Sequence, residues 1–75
     1  MEDYKVRFIK EFRELHERTT KLGNMLEKYN NGTLEFTPTC PINMLCNQYF
    51  TMCAYRTILI QRAEIEKIDL STDEV

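Results

Sequence analysis

The sequence predicts an all-α fold: an antiparallel two-helix hairpin, with or without a short extra turn at its N-terminus, assembled as a homo-oligomer. Three observations carry this reading. No proline stands between Glu2 and Tyr29, and apolar residues recur there at steps of four and three. A second helical stretch follows Pro38 and Pro41 and carries two apolar stripes, where a single hairpin partner covers only one. The 75 residues hold just two glycines and two prolines, which suits long helices with one connection. Residues 1–75 therefore read as one helical-hairpin domain without internal repeats.

The first helix is expected over about residues 2–29, on a stripe of Phe8, Phe12, Leu15, Thr19, Leu22, Leu26 and Tyr29. Asp3 to Arg7, Glu14 to Arg18 and Glu17 to Lys21 are acid-before-base pairs one turn apart, each contributing about 0.2–0.5 kcal/mol. Glu2 and Asp3 suit the positive end of the helix dipole. Gly23 costs about 1 kcal/mol relative to alanine and reads either as the site of a close backbone contact or as a tolerated defect. Asn30, Asn31 and Gly32 accept the left-handed conformation that ends a helix.

The connection, residues 30–40, carries Leu34 and Phe36, which are apolar enough to fold back onto the helices. Thr39 or Cys40 is the expected N-cap of the second helix, with Pro41 in its first turn, where the missing N–H costs nothing. That helix is expected over about residues 41–68. Its main stripe is Ile42, Leu45, Tyr49, Met52, Leu59 and Ala63; Cys46, Phe50, Cys53 and Ile60 form a second stripe. One stripe suits the first helix and the other suits another copy of the chain. The polar tail from Ser71 to Val75 is expected to fray.

The two stripes lie within and beyond a wholly uncharged block, Phe36 to Tyr55, in a chain that is otherwise rich in charge. Such a block needs cover. A membrane is a poor candidate, because Pro38, Pro41, Asn43, Asn47 and Gln48 interrupt the run of about 20 apolar residues that a bilayer requires. A chain this short buries only about 60% of its unfolded surface, so contacts between protomers are the simpler cover.

Composition narrows the function. The net charge of -2 and mixed charge pattern exclude a basic field for a nucleic acid polymer. Cys40, Cys46 and Cys53 lack metal-ligand spacing and a second histidine, so they read as reduced core thiols in a cytoplasmic protein, with no metal or cofactor. The charged N-terminus MEDYKVRFIK has no secretory h-region. His16, the only histidine, reads as a surface residue, and no nucleophile or paired carboxylate stands at a spacing that would make it a base. An enzyme is not indicated.

Anion recognition has more candidates. Arg7, Lys21 and Lys28 share one heptad position, interrupted by Glu14, and become a divalent phosphate clamp if an oligomer brings two rows together; otherwise they form a solvated face. Arg56 interrupts the main apolar stripe of the second helix. With Arg62 it lines an oligomer pocket, unless Arg62 simply pairs with Glu66. Phe12 reads as core on periodicity alone.

The segment Glu11 to Leu22, EFRELHERTTKL, followed by Leu45, Gln48, Met52, Tyr55, Leu59, Arg62 and Glu64, resembles the helical-hairpin family of bacteriophage anti-CBASS and anti-Thoeris sponges, including small relatives from crAss-like phages. The resemblance spans nearly the whole chain. It implies a non-enzymatic protein of the infected cell's cytoplasm that binds cyclic di- or trinucleotides or cyclic ADP-ribose isomers and withholds them from defence effectors. It also implies a homo-hexamer with pockets between protomers, an aromatic residue that stacks on bases and a lysine that meets phosphates. The stacking position falls on Phe12, where the family has tyrosine, with Tyr4 or Tyr29 as helpers. The lysine position falls on Glu27, with Lys28 next to it, so Lys28 or Lys21 takes that role or the ligand differs. The ligand-binding set is then Phe12, Arg7, Lys21, Lys28, Arg56 and Arg62. The rival reading is a small interaction module whose second stripe docks on a host or phage protein.

Overall fold

The computed structural model describes residues 3–71, which form two helices, α1 (Asp3–Asn31) and α2 (Ile42–Glu66). The helices pack on each other, and there is no strand among the described residues. Their alignment is antiparallel: Phe8 meets Arg62, His16 meets Arg56 and Gly23 meets Tyr49, so partners rising along α1 fall along α2. The resulting rod measures 44 × 20 × 18 Å. Its radius of gyration, 15.1 Å, exceeds the roughly 11 Å of a compact domain of this length.

α1 is strongly amphipathic, and its inner face holds Phe8, Leu15, Thr19 and Leu26, all buried. The Thr19 hydroxyl donates to the Leu15 carbonyl at 2.7 Å, so this polar member of the stripe is satisfied within its own helix and costs little to bury. Outside, Glu17–Lys21 closes at 2.9 Å and Glu14–Arg18 at 3.8 Å. Hydrogen bonding to Lys21, helped by its charge, holds the Glu17 carboxyl below its usual value. Gly23 is a place of close approach. A Cβ there would stand 2.9 Å from Cε1 of Tyr49, so the absent side chain lets the Tyr49 ring lie against the helix backbone.

The core lies towards the open end of the hairpin. Phe8, Ile9, Leu15, Leu59, Ala63 and Ile68 form one cluster, with Phe12, Met52 and Leu70 packed against it. Ile9 is the most buried residue, at 0% exposure, although it lies one step off the heptad stripe. A third layer joins the same cluster. α2 ends at Glu66, Lys67 turns left-handed at φ 57°, and the Ile68 N–H bonds back to the Ala63 carbonyl at 2.8 Å. This turn adds Ile68 and Leu70 to the same cluster. Ser71 then ties back through its N–H and hydroxyl to the Asp69 carboxylate, which is held below its ordinary pKa by those two bonds. Residues 72–75 of the expected frayed tail, and Glu2 with any turn before it, lie outside the described residues.

The loop end differs from expectation in three ways. Pro41, not Thr39 or Cys40, is the N-cap of α2; its φ of -56° and ψ of 140° keep it extended, its carbonyl accepts the first helical bonds from Met44 and Leu45, and no side chain caps the helix. Phe36 is 59% exposed rather than folded onto the helices, while Leu34 is half-buried. The cysteines are reduced but are not core residues: Cys40 is exposed, and Cys46 and Cys53 are half-buried, because the hairpin covers only one stripe of α2.

That limited cover is general. Of the main stripe of α2 only Leu59 and Ala63 are buried. Phe50 and Ile60, from the second stripe, are exposed, as are Met44, Ile58 and Ile65 on a third line that periodicity from the prolines onward did not separate. No helix among the described residues is long and apolar enough to cross a membrane.

Candidate functional site

The middle of the hairpin gathers polar groups on a half-buried aromatic floor. From α1, Phe12 lies against the core with one ring face on the imidazole of His16, one turn on: the centroids are 5.8 Å apart and the planes 13° from parallel. From α2, Arg56 reaches across, and its Nη1 lies 3.3 Å from His16 Nδ1. Its Nη2 points at the Cys53 sulfur, 4.0 Å away. One turn from His16 towards the open end, the Tyr55 hydroxyl donates to Glu11 Oε1 at 3.3 Å. Towards the loop, Tyr49 completes the edge, its phenol raised above the ordinary value by hydrogen bonding to Cys53, then by electrostatic interaction with that side chain and by lost solvent, with Arg56 opposing.

Arg56 differs from the cations that are paired along their own helix. Lys21 is held by Glu17, Arg18 by Glu14 and Arg62 by Glu66. Arg56 has no carboxylate partner among the described residues; its hydrogen-bond acceptors are an imidazole nitrogen and a thiol. It is also half-buried. A partly desolvated guanidinium that meets only neutral groups keeps most of its five N–H donors and its full charge for an anion.

The six sequence-derived candidates are therefore not equivalent. Phe12 and Arg56 are brought together through His16. Arg62 lies with its guanidinium carbon 4.9 Å above the Phe8 ring and its Nε 3.1 Å from Glu66, so its charge is already used twice within the hairpin. Arg7, Lys21 and Lys28 are exposed, but at about 100° per residue they project roughly 140° to 180° away from Phe12 around α1. Lys28 is also about 24 Å along the helix from Phe12. One small ligand on Phe12 does not reach these three within one hairpin. Tyr4 and Tyr29, the aromatic helpers, are exposed at opposite ends of α1.

His16 is exposed, as expected of a surface histidine, yet it links two of the candidate residues, Phe12 and Arg56. Its i, i+4 spacing from Phe12 was the available signal; its distance from Arg56 depends on the hairpin register. Among the described residues, no group of three or more His, Cys, Asp and Glu side chains is placed to hold a metal ion. Around the loop, Met25, Phe36, Pro38, Thr39, Cys40 and Leu45 line an open depression of about 200 Å³, which holds no charged side chain.

A family model described as Sequestin matches residues 2–65. No curated protein and no solved structure matches the chain.

Proposed function

Because the chain belongs to the Sequestin family, we propose that it is a sponge: a phage protein of the infected bacterial cytoplasm that binds a cyclic nucleotide messenger of antiphage defence and withholds it without cleaving it. The family name points to sequestration. The observation that carries the ligand class is the half-buried Arg56, free of carboxylate partners among the described residues, next to the Phe12–His16 stack. A base lying on the aromatic pair gains about 1–3 kcal/mol, and a phosphate oxygen beside it meets the guanidinium in a charge-assisted hydrogen bond. A ligand that presents a flat base and a phosphate a few ångströms apart uses both, and a cyclic nucleotide is such a ligand.

Sequestration needs tight holding, and one open hairpin offers a shallow floor. A homo-oligomer, in the hexameric pattern that the resemblance implies, encloses it. The exposed apolar residues of α2, with Phe50 66% and Ile65 79% exposed, supply surface for the other copies. In such an assembly the Arg7, Lys21 and Lys28 row of one protomer faces a ligand on the Phe12 of another. On this reading the ligand is held by contacts alone and is released as it was bound.

Calorimetric titration against cyclic dinucleotides, cyclic trinucleotides and cyclic ADP-ribose isomers tests the reading. At least one is expected to bind and to be recovered intact after heat denaturation; silence across the panel sinks the proposal, and recovery of a cleaved product replaces the sponge with an enzyme. The same exposed face of α2 favours one rival, a module that docks on another protein. A monomeric light-scattering mass without ligand binding supports that rival.

A further inference from the structure

We infer that His16 is a positioning and specificity residue of this site: it holds the Arg56 guanidinium at the edge of the Phe12 stack and itself offers a donor to the ligand. This rests on the sponge reading and assigns a role within it. A guanidinium has donors only, so the 3.3 Å contact between Arg56 Nη1 and His16 Nδ1 requires Nδ1 to be the acceptor. In that arrangement the ring carries its proton on Nε2. Two constraints fix the ring, since Nδ1 is held by an arginine from α2 and one face is held by Phe12 from α1. The Nε2–H is committed to no partner among the described residues.

The consequence is a three-part edge. Phe12 and His16 present a stacked surface for a base, Arg56 presents charge, and Nε2–H presents one neutral donor. A ligand is favoured when its phosphate oxygen and a base carbonyl or ring nitrogen fall within reach of the last two together. Without His16, Arg56 keeps its charge but loses the acceptor that selects one rotamer. A long flexible side chain must then be ordered by the ligand, which lowers affinity.

Substitutions separate the two functions of the ring. His16→Asn places a carbonyl oxygen near the Nδ1 position and removes the stacking ring; His16→Phe keeps the ring and removes both the Nδ1 acceptor and the Nε2–H donor. For the tightest ligand of the wild-type panel, His16→Phe is expected to weaken binding about tenfold, the loss of a hydrogen bond to a charged group. His16→Asn is expected to recover part of that loss, and His16→Ala none. Since His16 is exposed, all three should melt close to wild type, which shows that the hairpin is intact. Nitrogen-detected NMR of the unliganded protein should find the ring neutral and protonated on Nε2. Protonation on Nδ1, or equal affinity of His16→Phe and wild type, overturns this inference while leaving the sponge reading in place. A wild-type protein silent on the whole panel overturns both.

Discussion

α1 and α2 are similar in length, 29 and 25 residues, but they dispose of their apolar side chains in opposite ways. α1 collects them on one face and buries five residues there. α2 carries apolar residues around much of its circumference and buries two, Leu59 and Ala63. The hairpin is thus an asymmetric pair, in which one helix is finished by its partner and the other is half finished. The proposed site follows the same division. The aromatic floor comes from the finished helix, and the charge comes from Arg56, where the uncharged block of the unfinished helix ends.

The largest test of this difference is a pair of substitutions on α2 itself. Leu59, 1% exposed, is expected to lose about 2–5 kcal/mol on Leu59→Ala, enough to unfold much of a small domain. Ile65, two turns on, is expected to stay within about 0.5 kcal/mol on Ile65→Ala when unfolding is followed by circular dichroism at low protein concentration. A cost at Ile65 that grows with concentration would mean that a second copy covers that face; equal costs at all concentrations would remove the distinction between the faces.

A charge on the exposed side separates assembly from folding. Phe50→Glu is expected to leave the helical signal and the melting of the hairpin nearly unchanged, because the side chain stands in solvent within one protomer. The light-scattering mass is expected to fall towards the 9.0 kDa of one chain, with ligand binding lost as a consequence. A variant that stays assembled would show that α2 self-associates through another line, such as that of Ile58 and Ile65.

What could be read beforehand divides along the same boundary. The stripe on α1 was legible because one helix face meeting one partner is a periodic problem; Phe8, Leu15, Thr19 and Leu26 are buried as expected. Ile9 was not, because it lies one step off the stripe in a cluster that also takes in Ile68 and Leu70 from beyond α2, and no heptad pattern encodes a layer added by a turn. Phe36 misled for the converse reason: an apolar side chain in a short connection signals a need for cover but not whether its own chain supplies it. At the site, the resemblance pointed to Phe12, which periodicity alone reads as core, and the interrupted stripe of α2 pointed separately to Arg56. Their union through His16 depends on which turn of α1 faces which turn of α2, and that register is a tertiary fact.

The smallest expected effect concerns how the two helices end. At the end of α1, Gly32 adopts φ 73°, its N–H bonds the Tyr29 carbonyl at 3.1 Å, and the Thr33 N–H bonds that of Lys28 at 2.9 Å. The end of α2 repeats the pattern with Lys67 at φ 57°, bonding Glu64 at 3.4 Å, and Ile68 bonding Ala63 at 2.8 Å. Both are the paired closing bonds of a left-handed cap. The left-handed conformation costs a residue with a Cβ about 1–2 kcal/mol and glycine nothing, so α2 closes against a strain that α1 lacks. Burial of Ile68 offsets it, because this turn brings Ile68 into the core cluster with Ala63. Lys67→Gly should therefore stabilise the hairpin, by about 0.5–1 kcal/mol once the greater freedom of glycine in the unfolded chain is deducted. It should appear as a higher urea midpoint at unchanged slope. A lower midpoint would mean that the Lys67 side chain contributes more than its backbone costs, and would move that lysine from the cap of the finished core to the surface that meets a partner.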